Sequence, residues 1–353
     1  MSTETIFTGT GVRIANGPDI PPPPSWRAFG RGTGDPRDED LSTDDLDALP
    51  DPPPEEQEGG LAPMRDERAI WMMNAAILLR RPLLVTGPPG AGKTTLARMV
   101  AAELGLGRVL RWPITSSTRL TDGLYHYDAI GWVQDQNHAG RHRGADLAQA
   151  RRIGRYLRLG PVGTALLPWR RPRVLLIDEI DKADIDLPND LLHVFEEGQF
   201  EIPELFRLDD DVRAEIDVYT DDRGRRDDGG RRRIPRRTVH DGVVRCYEFP
   251  IVVLTSNGER NFPPAFLRRC LRLKLGVPQE EQLNDIIRRR IPDATDDEVR
   301  GAAVERFLTA VRQEQTVAVD QLLNAVYILT APGRTDTGRQ AEILDRLMAK
   351  LDE

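Results

Sequence analysis

The chain has 353 residues, 39% hydrophobic and 30% charged, with a formal net charge of -8. That length suits two or three modules. No apolar run approaches the ~18 residues that a spanning helix needs, and no secretory signal opens the sequence, so a reducing cytoplasm is the expected setting, without membrane insertion. Eleven carboxylates and one arginine fall between Asp35 and Glu58, which leaves the rest near neutral. A general nucleic-acid binder would show a strongly basic domain instead, so nucleic acid is an unlikely partner. Cys246 and Cys270 are the only cysteines, too few for a disulfide scaffold or a thiolate zinc site.

Residues 1–60 form a Pro- and acid-rich N-terminal segment. It lacks the apolar residues to offset the entropy of ordering, and most of it is expected to be disordered. Trp26, Ala28 and Phe29 make a small apolar island that either docks on the body or rides in the solvated tail. Helical spacing begins at Asp66–Leu79, with Ile70, Met73, Ala76 and Ile77 on one side. Leu83–Thr86 reads as a buried strand, Gly92–Leu104 as a helix stopped by Gly105, and Val109–Trp112 as a second strand. Residues 113–170 mix Gly, His and Arg, with a helix expected over Asp146–Leu159. Arg173–Ile177 is a third strand, and Leu187–Glu197 a helix with Asp186 as candidate cap and Gly198 at its end. Residues 209–242 are charge-dense and glycine-punctuated, and read as an exposed excursion or hairpin. Its arginines, Arg231 to Arg233 with Arg236 and Arg237, have no aromatic platform beside them, so a solvated tip is favoured over a nucleic-acid contact.

Phe249–Thr255 and Leu271–Leu275 are the fourth and fifth strands. From Pro278 the pattern is helical only: Gln279–Arg290, a helix capped by Thr295 and running to about Leu308, Val319–Leu329, and Arg339–Leu351. Strands alternating with helices, followed by a helical tail, predict an α/β parallel sheet plus a small α domain.

Three stretches carry chemistry. Gly87-Pro-Pro-Gly-Ala-Gly-Lys-Thr94 fits G-x-x-x-x-G-K-[ST] and lies between a strand and a helix. In the loop Gly87, Pro88, Pro89, Gly90, Ala91 and Gly92, which runs on through Lys93 and Thr94 to Thr95, the glycines would let backbone N–H groups curl around phosphate oxygens, helped by the positive end of the helix dipole. Lys93 would reach the β- and γ-phosphates, and the Thr94 hydroxyl would ligate Mg2+. Arg173-Val-Leu-Leu-Ile-Asp-Glu runs an apolar strand into two acids: Asp178 can hold the Mg2+ shell, and Glu179 can polarise an attacking water. That glutamate points to hydrolysis rather than to small-molecule phosphorylation. Ile251-Val-Val-Leu-Thr-Ser-Asn257 ends a strand on a polar side chain that could touch the γ-phosphate or the water. Arg268 and Arg269 follow on a short helix and could reach a neighbouring subunit's phosphate.

With GPPGAGKT, LLIDEID, LLHVFEEGQFEIPEL and LTSN followed by PPAFLRRC in place, the chain resembles an AAA+ ATPase. Within that class it most resembles the MoxR family of the helix-2-insert group, from about Leu61 to Leu351. The resemblance implies an AAA+ P-loop NTPase fold with a parallel five-stranded sheet over 61–277, insertions at about 113–170 and 201–247, and a helical lid at 278–353. It implies Asp178 and Glu179 as the Walker B pair, Asn257 as sensor 1, and Arg269 as finger arginine with Arg268 as second candidate. It also implies ATP with Mg2+ bound between subunits of a homo-oligomeric ring, usually a hexamer, working as a chaperone-like remodeller on a protein partner. Relatives of this kind typically serve proteins bearing von Willebrand factor A domains. A regulatory NTP switch and a McrB-like nucleic-acid-associated NTPase are the alternatives. One departure stands out: Gln321 takes the place of the lid arginine called sensor 2, with Arg312 and Arg334 as other positions for such a charge.

Overall fold

The computed structural model describes residues 5–14, 20–29, 61–138, 151–213, 215–222, 235–293, 296–313, 317–330 and 346. A five-stranded sheet forms its centre, in the order β11 (Leu271–Lys274), β1 (Leu83–Thr86), β10 (Ile251–Ser256), β5 (Val174–Asp178) and β2 (Leu110–Pro113). All four pairings are parallel. The strands are short apolar runs because both faces are buried. Val85, Leu176 and Val253 face one core, shared with α1 (Glu67–Leu79) and α2 (Lys93–Leu104). Leu84, Ile177 and Leu254 face the other, shared with α6 (Leu187–Glu197) and α7 (Pro264–Arg269). Strand boundaries lie within two residues of those read from the sequence.

The two stretches that did not read as plain βα units pair with each other. The first contains α3 (Leu120–Leu124), β3 (Tyr125–Tyr127), α4 (Ala129–His138), β4 (Leu157–Leu159) and α5 (Pro161–Ala165). The second contributes β7 (Ile216–Tyr219) and β8 (Arg236–Val239), and together they form a sheet ordered β3-β4-β7-β8. β7 and β8 are the antiparallel hairpin of the charge-dense stretch; Arg231, Arg232 and Arg233 lie outside the described residues. The helix expected over Asp146–Leu159 is corrected. Residues 146–150 lie outside the described residues, 151–156 form a 3-10 turn, and 157–159 are strand. Leu157 and Leu159 are buried around the exposed Arg158, a period-2 pattern. Gly154 lies against the carbonyl of Asp217, too close for a side chain. A further small sheet pairs β6 (Gln199–Glu201) with β9 (Val243–Arg245).

The C-terminal part is helical: α8 (Glu280–Arg290), α9 (Asp297–Arg312) and α10 (Val319–Thr330) share Leu283, Ile287, Phe307, Leu322 and Val326 in one core. Asp296 caps α9, accepting from the N–H groups of Glu298 and Val299, in place of the expected Thr295, which lies outside the described residues. Asp186 sits at the N-cap of α6 but makes no side-chain cap bond there. The expected helix Arg339–Leu351 falls outside the described residues, apart from Arg346.

Parts of the N-terminal segment are packed, which departs from the expectation of disorder for residues 5–14 and 20–29; the rest of 1–60 lies outside the described residues. Ile6 and Phe7 join the core beneath α1 and α2. The backbone is captured by two polar side chains. Asn74 accepts from the N–H groups of Ile6 and Phe7, and fully buried Glu103 accepts from Thr8 and from the Gly11 N–H. Arg80, paired with Glu248 at 3.2 Å in the interior, donates to the Pro21 carbonyl at 2.8 Å. Phe29 packs on Phe249 at 5.3 Å, whereas Trp26 stays 77% exposed. Phe7→Ala is therefore expected to cost about 3–5 kcal/mol of stability. Denaturant unfolding checks this; a loss below about 0.5 kcal/mol, typical of a surface position, would mean that the segment contributes no core.

Candidate functional site

The loop between β1 and α2 needs its glycines. A Cβ on Gly87 would lie 2.5 Å from the Leu275 carbonyl oxygen, and Gly92 opens α2 with φ +85°, a left-handed conformation that favours glycine. The loop closes on Lys93. Its Nζ donates to the carbonyls of Gly87 (2.7 Å) and Pro88 (2.9 Å) and to Asn257 Oδ1 (2.7 Å). Burial pushes the Lys93 ammonium below its ordinary range, against the pull of Asp181, Asp178 and Glu179.

β5 delivers the acids. Asp178 is buried and accepts from Thr94 Oγ1 (3.2 Å) and Thr255 Oγ1 (2.7 Å) on one oxygen, and from Arg111 Nε (3.0 Å) and Nη2 (2.5 Å) on the other. Burial raises its carboxyl, but hydrogen bonds from Thr255, Arg111 and Thr94 outweigh that and hold it below the usual carboxylate range. Glu179 turns the chain with φ +62°, a conformation that costs a non-glycine residue about 1–3 kcal/mol and that the surroundings must enforce. Its N–H is fixed by Thr255 Oγ1 at 2.9 Å, and its half-exposed carboxylate pairs with Lys182 at 2.7 Å. Asp181, buried, accepts from the N–H groups of Asn257 (2.9 Å) and Glu259 (3.2 Å), which sets the loop after β10.

Lys93, Thr94, Arg111, Asp178, Glu179, Thr255 and Asn257 line one cleft of about 790 Å³, walled on one side by Leu61 and Met64 and on another by Gln282 and Ile286 of α8; Gly87, Pro88, Asp181 and Lys182 are not among its lining residues. The cleft thus brings together the phosphate-loop residues from Pro89 to Thr95 with Asp178, Glu179 and Asn257. Arg268 and Arg269 are not part of it. α7 returns the chain to the start of β11, where Leu271 pairs with Leu83, at the sheet edge opposite the phosphate loop. There Arg269 pairs with Glu196, and Arg81 holds the carbonyls of both arginines. Gln321 lies outside the cleft, its Oε1 accepting from the Ala318 N–H. Arg289 and Arg290 of α8 line the cleft. Arg312 is not among its lining residues, and Arg334 lies outside the described residues.

Magnesium is usually held by one or two protein oxygens, with phosphates and water completing its shell. The Thr94 hydroxyl and Asp178 carboxylate, 3.2 Å apart, are a donor set of that kind and fit the ion. Among the described residues no group of three or more His, Cys, Asp or Glu is arranged to hold a metal, and no helix is long and apolar enough to cross a membrane.

A parallel sheet, a glycine loop leading into a helix, and a lysine and two acids converging beyond the strand ends define a P-loop NTPase. Residues 82–270, just over half of the chain, match the family model described as AAA domain (dynein-related subfamily), and the chain belongs to this AAA+ family. No curated protein matches it. Among solved structures it is similar to NtrX from Brucella abortus, crystallised in complex with ADP, at 13% identity and a TM-score of 0.39; the match covers 80% of this chain and 55% of that one.

Four site residues were missed in the sequence: Arg111, Thr255, Asp181 and Lys182. Asp181 and Lys182 adjoin the two acids in LLIDEIDK, and Thr255 precedes Asn257 by two, so each stood beside a recognised motif. Arg111 had no such signal.

Proposed function

We propose that the chain is an ATP-hydrolysing ring ATPase of MoxR type that acts as a chaperone-like remodeller on a protein partner. The observation that carries the reading is the convergence of Lys93, Thr94, Asp178, Glu179 and Asn257 in one cleft beneath the phosphate loop. Lys93 binds the terminal phosphates, exchanging its carbonyl contacts for phosphate oxygens. Thr94 and Asp178 hold Mg2+, which when bound neutralises charge on the β- and γ-phosphates. Glu179 orients and polarises the water, and Asn257 positions it or the γ-phosphate. Residues 278–353 act as the lid, with α8 supplying its wall of the cleft.

A finger arginine completes the site from a neighbouring subunit. Arg269 is first candidate and Arg268 second, and their place at the opposite sheet edge supports a role in trans. That requirement calls for a second copy of the chain beside the first; the ring, a hexamer in this reading, is what the resemblance to the MoxR family implies. A protein with a von Willebrand factor A domain is the proposed type of partner.

Turnover measured with ATP and GTP, with and without DNA, tests the reading. ATP turnover indifferent to DNA is expected. DNA-stimulated GTP turnover would favour a nucleic-acid-associated NTPase, and tight binding with almost no turnover a regulatory switch. Proteins retained on a Glu179→Gln trap would identify the partner.

A further inference from the structure

Arg111 is unaccounted for by the roles above. It lies on β2, the edge strand, in register with Leu176. Partners in register share a face of the sheet, so Arg111 lies on the face of Leu176 and, two residues on, of Asp178. Its neighbours Leu110 and Trp112 are buried in the opposite core. On an inner strand a charge here would be trapped beneath a helix. At the edge the Arg111 side chain stays 53% exposed, while that of Asp178 is 8% exposed.

Two guanidinium nitrogens converge on one carboxylate oxygen, at 3.0 and 2.5 Å, while Thr94 and Thr255 take the other. A nearly buried carboxylate must be paired, and here its charge partner is a side chain with room to move. Arg111 also lines the cleft beside Lys93 and Thr94. A divalent cation held by Thr94 and Asp178 would compete with this guanidinium for the same carboxylate.

We propose that Arg111 is a positioning residue that serves as the resident counter-cation of Asp178, neutralising it when no divalent cation is held and yielding it when one binds with the nucleotide. This rests on the nucleotide-binding reading above. Its consequence is a defined coupling between a side chain and an ion. Without divalent cation, loss of Arg111 leaves the triphosphate facing a bare Asp178, and affinity falls. With the cation present the loss is repaired, and the cation itself binds more readily because its competitor has gone. By linkage the two effects have one size. A merely structural ion pair would weaken nucleotide binding equally in both conditions.

The test measures ATP affinity of the full chain by calorimetry, in EDTA and in saturating Mg2+, for the wild type, Arg111→Gln and Arg111→Lys. For Arg111→Gln we expect about a tenfold loss in EDTA and no more than about a threefold change in Mg2+, with the half-saturating Mg2+ concentration about tenfold lower. Arg111→Lys, which keeps the charge, should restore the EDTA affinity to within about threefold of the wild type. Equal losses in both conditions, or no change in either, overturn the proposal. Where Arg111→Gln alone does not fold, it is placed on an Asp178→Asn background, in which no carboxylate needs neutralising. There it should leave the EDTA affinity unchanged, and about a tenfold loss would show direct phosphate contact instead and overturn the proposal. A wild-type protein that binds no nucleotide in either buffer overturns the site reading as well; a wild type that binds, with an unaltered Mg2+ dependence in the variant, overturns the role of Arg111 alone.

Discussion

Lys93→Ala is expected to lose nucleotide binding by about 10²–10⁴-fold. The Lys93 ammonium sits in the mouth of the phosphate loop, held by two backbone carbonyls and Asn257. Its contacts to the terminal phosphates would be charge-assisted hydrogen bonds, each worth about 1.5–3 kcal/mol. Losing two of them accounts for the expected factor, since about 1.4 kcal/mol is tenfold. The fold should survive, because the loop is shaped by its glycines and by α2 rather than by this side chain. A nucleotide titration of the variant, with circular dichroism as a folding control, checks the result. Unchanged affinity in a folded protein would remove Lys93 from the site.

Glu179→Gln should behave in the opposite way, with binding preserved and turnover reduced by about 10²–10⁴-fold, the usual contribution of a positioned general base. The amide keeps the size of the side chain and the strained turn at φ +62° but cannot take a proton. Its ion pair with Lys182 is lost, but both partners are 43% exposed, and such pairs are worth about 0–1 kcal/mol. Stability should therefore barely move. The measurement is phosphate release alongside nucleotide affinity. A variant that turns over like the wild type would mean that another group activates the water.

Local segments were the legible part of the sequence. The run from Leu83 to Leu104 joins an apolar strand, a glycine loop and a helix with Leu96, Met99 and Val100 on its buried side, and each signal is complete within a few residues. The same holds for β5 with its two acids and for β10 with Asn257. What could not be read depends on partners far along the chain. β4 has three residues, and its strand character comes from pairing with Tyr125–Tyr127 and with Tyr219. Residues 5–14 look like coil because Thr and Gly are common there; their order comes from Asn74 and Glu103, 67 to 95 residues away. Arg111 looks like any surface arginine until β2 is laid beside β5. Gln321 stands at the position expected for a lid arginine, whereas the arginines of the C-terminal helices that line the cleft are Arg289 and Arg290 of α8.

The central claim is that hydrolysis occurs in a site shared between two copies, with the phosphate loop from one and Arg269 from the next. Mixing Lys93→Ala with Arg269→Ala tests it most directly. On the proposed reading the first should bind nucleotide too weakly to turn it over but present an intact arginine; the second should bind but lack the charge expected to stabilise the transferred phosphoryl group, a contribution of about 10³–10⁵ in rate. Each alone should be inactive, and mixed assemblies should regain part of the ATPase activity at interfaces that join one intact loop to one intact arginine. If mixed assemblies form and no activity returns, the shared site with Arg269 in trans is contradicted, and the same mixture with Arg268→Ala decides whether its neighbour is the finger.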